Sequence, residues 1–116
     1  MPEDFLKNPL SLFDVKGKTA IVTGATGAFG ALAAQVLAGA GCNLVIAAGG
    51  VGALKKVAAE CEQLGAKAES VNLRPSSAAH CDKIVAAAVQ RFGGVDILVL
   101  ASGINKVAKI VDQAPE

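Results

Sequence analysis

Tryptophan and tyrosine are both absent from this chain, and aromatic residues amount to only 3% of it, all of them phenylalanine. That leaves little for stacking on bases. The formal net charge is +1, with Lys and Glu scattered along the chain rather than gathered into a basic patch, so nucleic acid is not an expected partner. Histidine occurs once, as His80, which cannot build a multi-histidine metal site; it is expected in the first turn of a helix, facing water. Cys42, Cys61 and Cys81 are odd in number and widely spaced, and support neither a disulfide framework nor a Cys-x-x-Cys metal site. Free, mostly buried thiols and no metal are expected. With no clustered carboxylates either, little machinery remains for general enzyme chemistry. No apolar stretch reaches membrane-spanning length, and Met1-Pro2-Glu3-Asp4 lacks the charged-then-apolar order of a signal peptide, so a cytoplasmic protein with no membrane partner is expected.

What the chain does have is apolar bulk and glycine. Its 116 residues, 53% hydrophobic and 18% charged, fit one domain with a real core. The composition matches an α/β protein, whose buried parallel strands read as continuous apolar runs. The stretch that organises the rest is Thr-Ala-Ile-Val-Thr-Gly-Ala-Thr-Gly-Ala-Phe-Gly, residues 19–30: an apolar strand, a glycine-rich turn and the start of a helix. A dinucleotide pyrophosphate can approach a backbone only where side chains are missing, and unpaired amides at a helix start favour negative charge. Gly24, Gly27 and Gly30 supply those gaps.

Residues 1–17 mix prolines and charges with Leu10, Leu12, Phe13 and Val15, an irregular arm. A strand is expected over 18–23. A helix follows over 28–40, with Phe29, Leu32, Ala33, Val36 and Leu37 on one face and Gly39 and Gly41 stopping it. Residues 43–47 form the second strand. After Gly49-Gly50-Val51-Gly52 comes a second helix, in which Leu54, Val57, Ala58, Cys61 and Leu64 share a face and Lys55, Lys56, Glu60 and Glu62 face water; Gly65 closes it. The third strand spans 68–73, and Arg74-Pro75-Ser76-Ser77 is a turn ending in an N-cap serine. The third helix runs to about Phe92 and buries Cys81, Ile84, Val85, Ala88 and Phe92. The fourth strand spans 95–100. Alternating strands and helices with short links and right-handed crossovers give a doubly wound parallel sheet in the order 3-2-1-4, with the first two helices on one face and the third on the other. Cys61 and Cys81 then lie on opposite sides of the sheet. Residues 104–116 form a tail, whose end at Gln113-Ala114-Pro115-Glu116 resembles the start of a further helix.

Thr23-Gly24-Ala25-Thr26-Gly27-Ala28-Phe29-Gly30 resembles the Thr-Gly-x-x-x-(Ala or Gly)-x-Gly signature of the short-chain dehydrogenase/reductase family. The resemblance covers the whole chain but only the N-terminal half of that family's fold, and implies a Rossmann-like half fold that binds NAD or NADP. Carried over position by position, it names Thr23, Gly24, Thr26, Gly27, Ala28, Phe29 and Gly30 in the turn, Gly49 after the second strand, Asn72 and Leu73 after the third, and Ala101, Ser102 and Gly103 after the fourth. Family members carry their catalytic serine and Tyr-x-x-x-Lys pair in the half that follows, and this chain has no tyrosine; it is expected to be catalytically inactive alone. An acidic residue for the NAD ribose or a basic one for the NADP 2'-phosphate follows the second strand in the family, whereas Ala48-Gly49-Gly50 offers neither. Asn72 stands where the family has Asp, and Leu100-Ala101-Ser102-Gly103 where it has Asn-Asn-Ala-Gly. Losing one or two charge-assisted contacts of about 1.5–3 kcal/mol each weakens binding by one to three orders of magnitude, which predicts micromolar to millimolar affinity.

In the family the fourth strand is interior. In these 116 residues it would expose an apolar edge, an invitation to pairing, and a homodimer through antiparallel pairing of that edge about a two-fold axis is expected. The alternative to a cofactor-binding half is therefore a non-catalytic, self-associating module with a relic nucleotide site.

Overall fold

In the computed structural model the described residues are 14–101; most of the arm over 1–17 and the tail over 104–116 lie outside them. The described residues form strands β1 (Thr19–Thr23), β2 (Asn43–Ala47), β3 (Ala68–Val71) and β4 (Ile97–Leu100), with helices α1 (Ala28–Gly39), α2 (Val51–Gln63) and α3 (Ala78–Phe92) between them. The sheet is parallel throughout, in the order β3-β2-β1-β4, the doubly wound half fold the alternation implies. Ile21 of β1 stands between Val45 of β2 and Leu98 of β4, in a strand buried along its whole length.

Two layers of core follow from this. Ala20, Val22, Leu44 and Ile46 pack with Ala34 and Ala38 of α1 and Leu54, Val57 and Cys61 of α2. On the other face Ile21, Val45 and Ala47 pack with Ile84 and Ala88 of α3. The first two helices thus cover one face and the third the other. No helix among the described residues is long and apolar enough to cross a membrane.

Several element ends differ from the sequence-based expectation, each for a local reason. The fourth strand starts two residues later than residue 95 because Asp96 is used as a clasp: its backbone N–H donates to Thr19 O at 2.8 Å and its carboxylate Oδ2 accepts from Thr19 N at 2.9 Å. β3 stops at Val71 because Leu73 N turns back onto Val71 O at 2.8 Å. α1 ends on Gly39, one residue before the expected end at residue 40, and the chain leaves through Gly41, after which Cys42 N donates to Leu37 O at 3.0 Å. Ser77 caps α3 as expected, its hydroxyl accepting from His80 N at 3.2 Å.

The helix faces needed more correction. α1 turns Gly30, Ala34 and Ala38 to the sheet, while Phe29, Leu32 and Val36 are exposed, Phe29 by 85%. α1 is apolar almost all round, so hydrophobic spacing does not choose its buried face. Gly30 does: a Cβ there would overlap Gly24 O and stand 2.6 Å from Gly24 C and 2.9 Å from Ala25 Cα. Only a glycine lets the turn sit on the helix, and that contact fixes the rotation that carries Ala34 and Ala38 beneath it at intervals of one turn. In α3, Ile84 and Ala88 are buried and Phe92 half-buried, but Cys81 and Val85 are exposed. In α2, Leu64 falls past the last turn and is exposed.

Candidate functional site

At the C-terminal ends of β1, β2 and β4 the sheet opens into a cleft of about 780 Å³, at the point where strand order reverses between β1 and β4. Open α/β sheets bind ligands at that place. Its floor is the turn between β1 and α1. Gly24 holds φ of 64°, a left-handed conformation that a side chain disfavours, and accepts from Gly27 N at 3.0 Å. Ala25 N donates to Ala47 O at 3.3 Å, tying the turn to the end of β2, and Thr23 Oγ1 donates to Val99 O at 3.4 Å, joining the ends of β1 and β4. The helix N-cap is Gly27, which has no side chain to satisfy the first-turn amides, and the first turn of α1 contains no acidic residue. Those free donors and the positive end of the helix dipole meet the cleft where Gly27 lines it.

Of the residues named from the sequence, Thr23, Gly24, Thr26, Gly27, Gly49 and Ala101 line this cleft together. Ala28 and Phe29 open α1, and Gly30 lies beneath the turn, buried. Phe29 instead lines a shallower groove with Leu32, Ala33, Val36, Leu37 and Val99. Asn72 is exposed and does not line the cleft, and Leu73 packs into the α3-side core. Ser102 and Gly103 lie outside the described residues.

The cleft also gathers Ala48, Arg74, Pro75, Ser76, Cys81 and Leu100, none of them among the contacts that the resemblance names. Arg74 is the one to note. Read as part of a turn, it reaches across the cleft to Gly49, and a Cβ on Gly49 would lie 2.7 Å from its Nε. The available signal was chemical: Arg74 is the one charged residue in the loop between β3 and α3. Its backbone is held from below, its carbonyl oxygen accepting from Ser76 N at 2.8 Å and standing 3.0 Å from His80 Nδ1. The same ring nitrogen stands 3.0 Å from Ser76 Oγ, so the imidazole is packed between the Arg74 carbonyl and the Ser76 hydroxyl. His80 is half-buried and spent on this loop, not free in solvent.

No cluster of His, Cys, Asp and Glu that could hold a metal ion occurs among the described residues. Cys42 and Cys61 are buried and Cys81 is exposed. Burial, chiefly, pushes both buried thiols above the ordinary value of 9.0, assisted by Asp96 beside Cys42 and by Glu60 and Glu62 beside Cys61. These two thiols are unreactive core side chains; Cys81 at the cleft is the accessible one.

Residues 18–116 match the family model for short chain dehydrogenase. An uncharacterized oxidoreductase of Mycobacterium tuberculosis is 39% identical over 110 residues, covering 92% of this chain and 39% of its own length. Among solved structures, a short-chain type dehydrogenase/reductase from Mycobacterium marinum superposes with a TM-score of 0.80 at 32% identity, over 90% of this chain and 42% of that one. L-Sorbose reductase from Gluconobacter frateurii, complexed with NADPH and L-sorbose, gives 0.78 at 29% identity, over 85% and 38%. The chain thus spans about two fifths of the length of the relatives it matches.

Proposed function

Because the chain belongs to the short chain dehydrogenase family, we propose that it is the dinucleotide-binding half of an oxidoreductase and that its cleft takes NAD or NADP. The observation that carries this is the turn itself: Gly30 packed under Gly24, and Gly27 at an uncapped helix start lining the cleft. The side-chain-free backbone of Gly24 and Gly27 would admit the pyrophosphate, and the first-turn amides of α1 would hold its charge. The NADPH in the L-sorbose reductase complex supports the same ligand class here. When bound, the dinucleotide supplies or accepts a hydride, and a longer chain of this family would act between it and an alcohol or carbonyl substrate. These 116 residues contain no tyrosine, and we expect no hydride transfer from them alone.

The test is a titration with NADH and NADPH read by nicotinamide fluorescence, which no tyrosine or tryptophan of this chain obscures. Saturable binding in the micromolar to millimolar range, lost in Gly30→Val, is expected; no saturation by ~10 mM would refute the reading.

A second reading is favoured by the open side of β4. Among the described residues β4 is an edge strand, Leu98 and Leu100 are exposed by 57% and 72% on one face, and Phe29, Leu32 and Val36 line the groove beside Val99 on the other. Apolar surface therefore wraps the edge from both sides. Paired antiparallel with a second copy of β4, this edge would make the chain a self-associating homodimer. Light scattering should give twice the chain mass, reduced to the single mass by Leu98→Lys; a monomer at high concentration would sink it.

A further inference from the structure

Cofactor choice in a doubly wound fold is made at the end of the second strand, where the adenosine ribose lies: a carboxylate there accepts from the ribose 2'-hydroxyl of NAD, and an arginine nearby takes the 2'-phosphate of NADP. Ala48-Gly49-Gly50 at that place carries no charge. The charge comes from another strand. Arg74, in the loop after β3, reaches back over the end of β2, and its guanidinium occupies the space that a side chain on Gly49 would fill.

We propose that Arg74, laid over Gly49, is the residue that selects the dinucleotide, binding the 2'-phosphate so that the cleft takes NADP(H) in preference to NAD(H). The inference rests on the dinucleotide reading above and adds its specificity. Three observations carry it. Arg74 is the only formally charged residue among the described residues that line the cleft, and none of those residues offers a carboxylate to compete for the guanidinium or accept from a 2'-hydroxyl. Its one-residue neighbourhood is arranged for it: Gly49 leaves room for the Nε, and Ser76 and His80 hold the Arg74 carbonyl, setting the root of the side chain. The guanidinium has no ion-pair partner among the described residues; the one described arginine pair is Arg91 with Glu69, elsewhere in the fold. A planar, solvent-exposed fork of donors not taken up by a described carboxylate suits a phosphate dianion, which it can meet through two parallel hydrogen bonds.

The experiment compares NADPH and NADH titrations on the chain itself, by fluorescence and by calorimetry, with Arg74→Gln, Arg74→Lys and Gly49→Asp alongside. Wild type should bind NADPH about 10- to 100-fold more tightly, the scale of one charge-assisted contact. Arg74→Gln should remove that preference while leaving NADH affinity within about threefold, and Arg74→Lys should keep part of it as a point charge. Gly49→Asp places a carboxylate against the guanidinium and should reverse the preference; Arg74 is the flexible neighbour that yields, so the fold should tolerate it. Far-UV circular dichroism checks that each variant is folded. Equal wild-type affinity for the two dinucleotides overturns the inference and leaves the cleft reading standing. A preference that survives Arg74→Gln assigns it to other cations, Lys55 or Lys56, and also overturns it, as does an equal loss of NADH and NADPH, which would make Arg74 a stacking surface for adenine. Failure of both dinucleotides to bind overturns the dinucleotide reading, and the inference with it.

Discussion

Replacing Gly30 with alanine should destabilise the protein, although alanine is the better helix former. In α1 the exchange gains at most about 1 kcal/mol of intrinsic helix propensity, and less near a helix end. Against this, the new Cβ would stand 2.6 Å from Gly24 C and 2.9 Å from Ala25 Cα, where carbon pairs rest at about 3.5–4.0 Å. Both neighbours are backbone, so no rotamer change relieves the overlap and the turn must retreat by roughly 1 Å. Ala25 N already reaches Ala47 O at 3.3 Å, so that retreat breaks the bond, at about 1 kcal/mol. Overpacking of this kind costs about 1–3 kcal/mol, and the sum leaves a net loss of about 1–3 kcal/mol, or a Tm lower by roughly 5–20 °C for a domain of this size. Gly39 is the control: it ends the same helix, and a Cβ there meets nothing within 4 Å. Gly39→Ala should stabilise by about 0.4–1 kcal/mol. Lacking tryptophan and tyrosine, the chain is best followed in urea by circular dichroism at 222 nm. If Gly30→Ala melted at or above wild type, or the two exchanges shifted stability in the same direction, the account of how the turn sits on the helix would be wrong.

Asp96→Ala leaves Thr19 N, in a residue only 3% exposed, without its acceptor, and should cost about 1–3 kcal/mol in urea denaturation; Asp96→Asn, which keeps an oxygen, should cost less. Ellman's reagent should titrate Cys81 rapidly in the native protein and Cys42 and Cys61 only on unfolding, and saturating NADPH should slow the Cys81 reaction because that thiol lines the cleft. The raised values of Cys42 and Cys61 also set a pH dependence. Folding holds these protons more tightly than the unfolded chain does, so the stability they contribute is complete below the ordinary thiol value of 9.0 and is lost as pH rises through their higher folded values. A denaturation midpoint that rises between pH 8 and 11 would contradict this. Ser77→Ala should lower stability by about 0.5–2 kcal/mol through the lost cap on His80 N, measurable in the same assay.

How far the sequence could be read depended on what specified each feature. Strand order and the division of helices between faces were legible because they follow from apolar runs, glycine punctuation and crossover handedness, all local or topological. α2 was legible except at its end, where Leu64 is exposed: Leu54, Val57, Ala58 and Cys61 are buried as their spacing implies, because charged residues mark its other face. α1 has no such contrast, and its rotation is decided by a close backbone approach at Gly30 that no periodicity expresses. β4 began late because Asp96 spends both backbone and side chain on Thr19, a pairing 77 residues apart in the chain. Within the cleft, the turn was legible as a motif, while Arg74 was not, since its place over Gly49 depends on β3 lying beside β2.

That contrast has a physical origin. The pyrophosphate floor is built from backbone: a left-handed Gly24, a close-packed Gly30 and an uncapped helix start, each coupled to the packing of α1 on the sheet. Altering any of them disturbs the fold, so such a site is written as a fixed string of small residues. The ribose side is different. Gly49 is not in a left-handed conformation, and the three atoms nearest to a Cβ there all belong to the Arg74 side chain, so the closest constraint on that position is a flexible side chain and not backbone. What holds it is the guanidinium, and what frees the guanidinium is the glycine. The two residues therefore act as a unit: a carboxylate at 49 should count for more with Arg74 removed than with it present, because in the native background it must first pull the arginine away from the phosphate. A double-mutant cycle over Gly49→Asp and Arg74→Gln, read as the ratio of NADPH to NADH affinity, should be non-additive by more than the ~0.5 kcal/mol expected of independent sites; strict additivity would mean that the two positions meet the ribose separately.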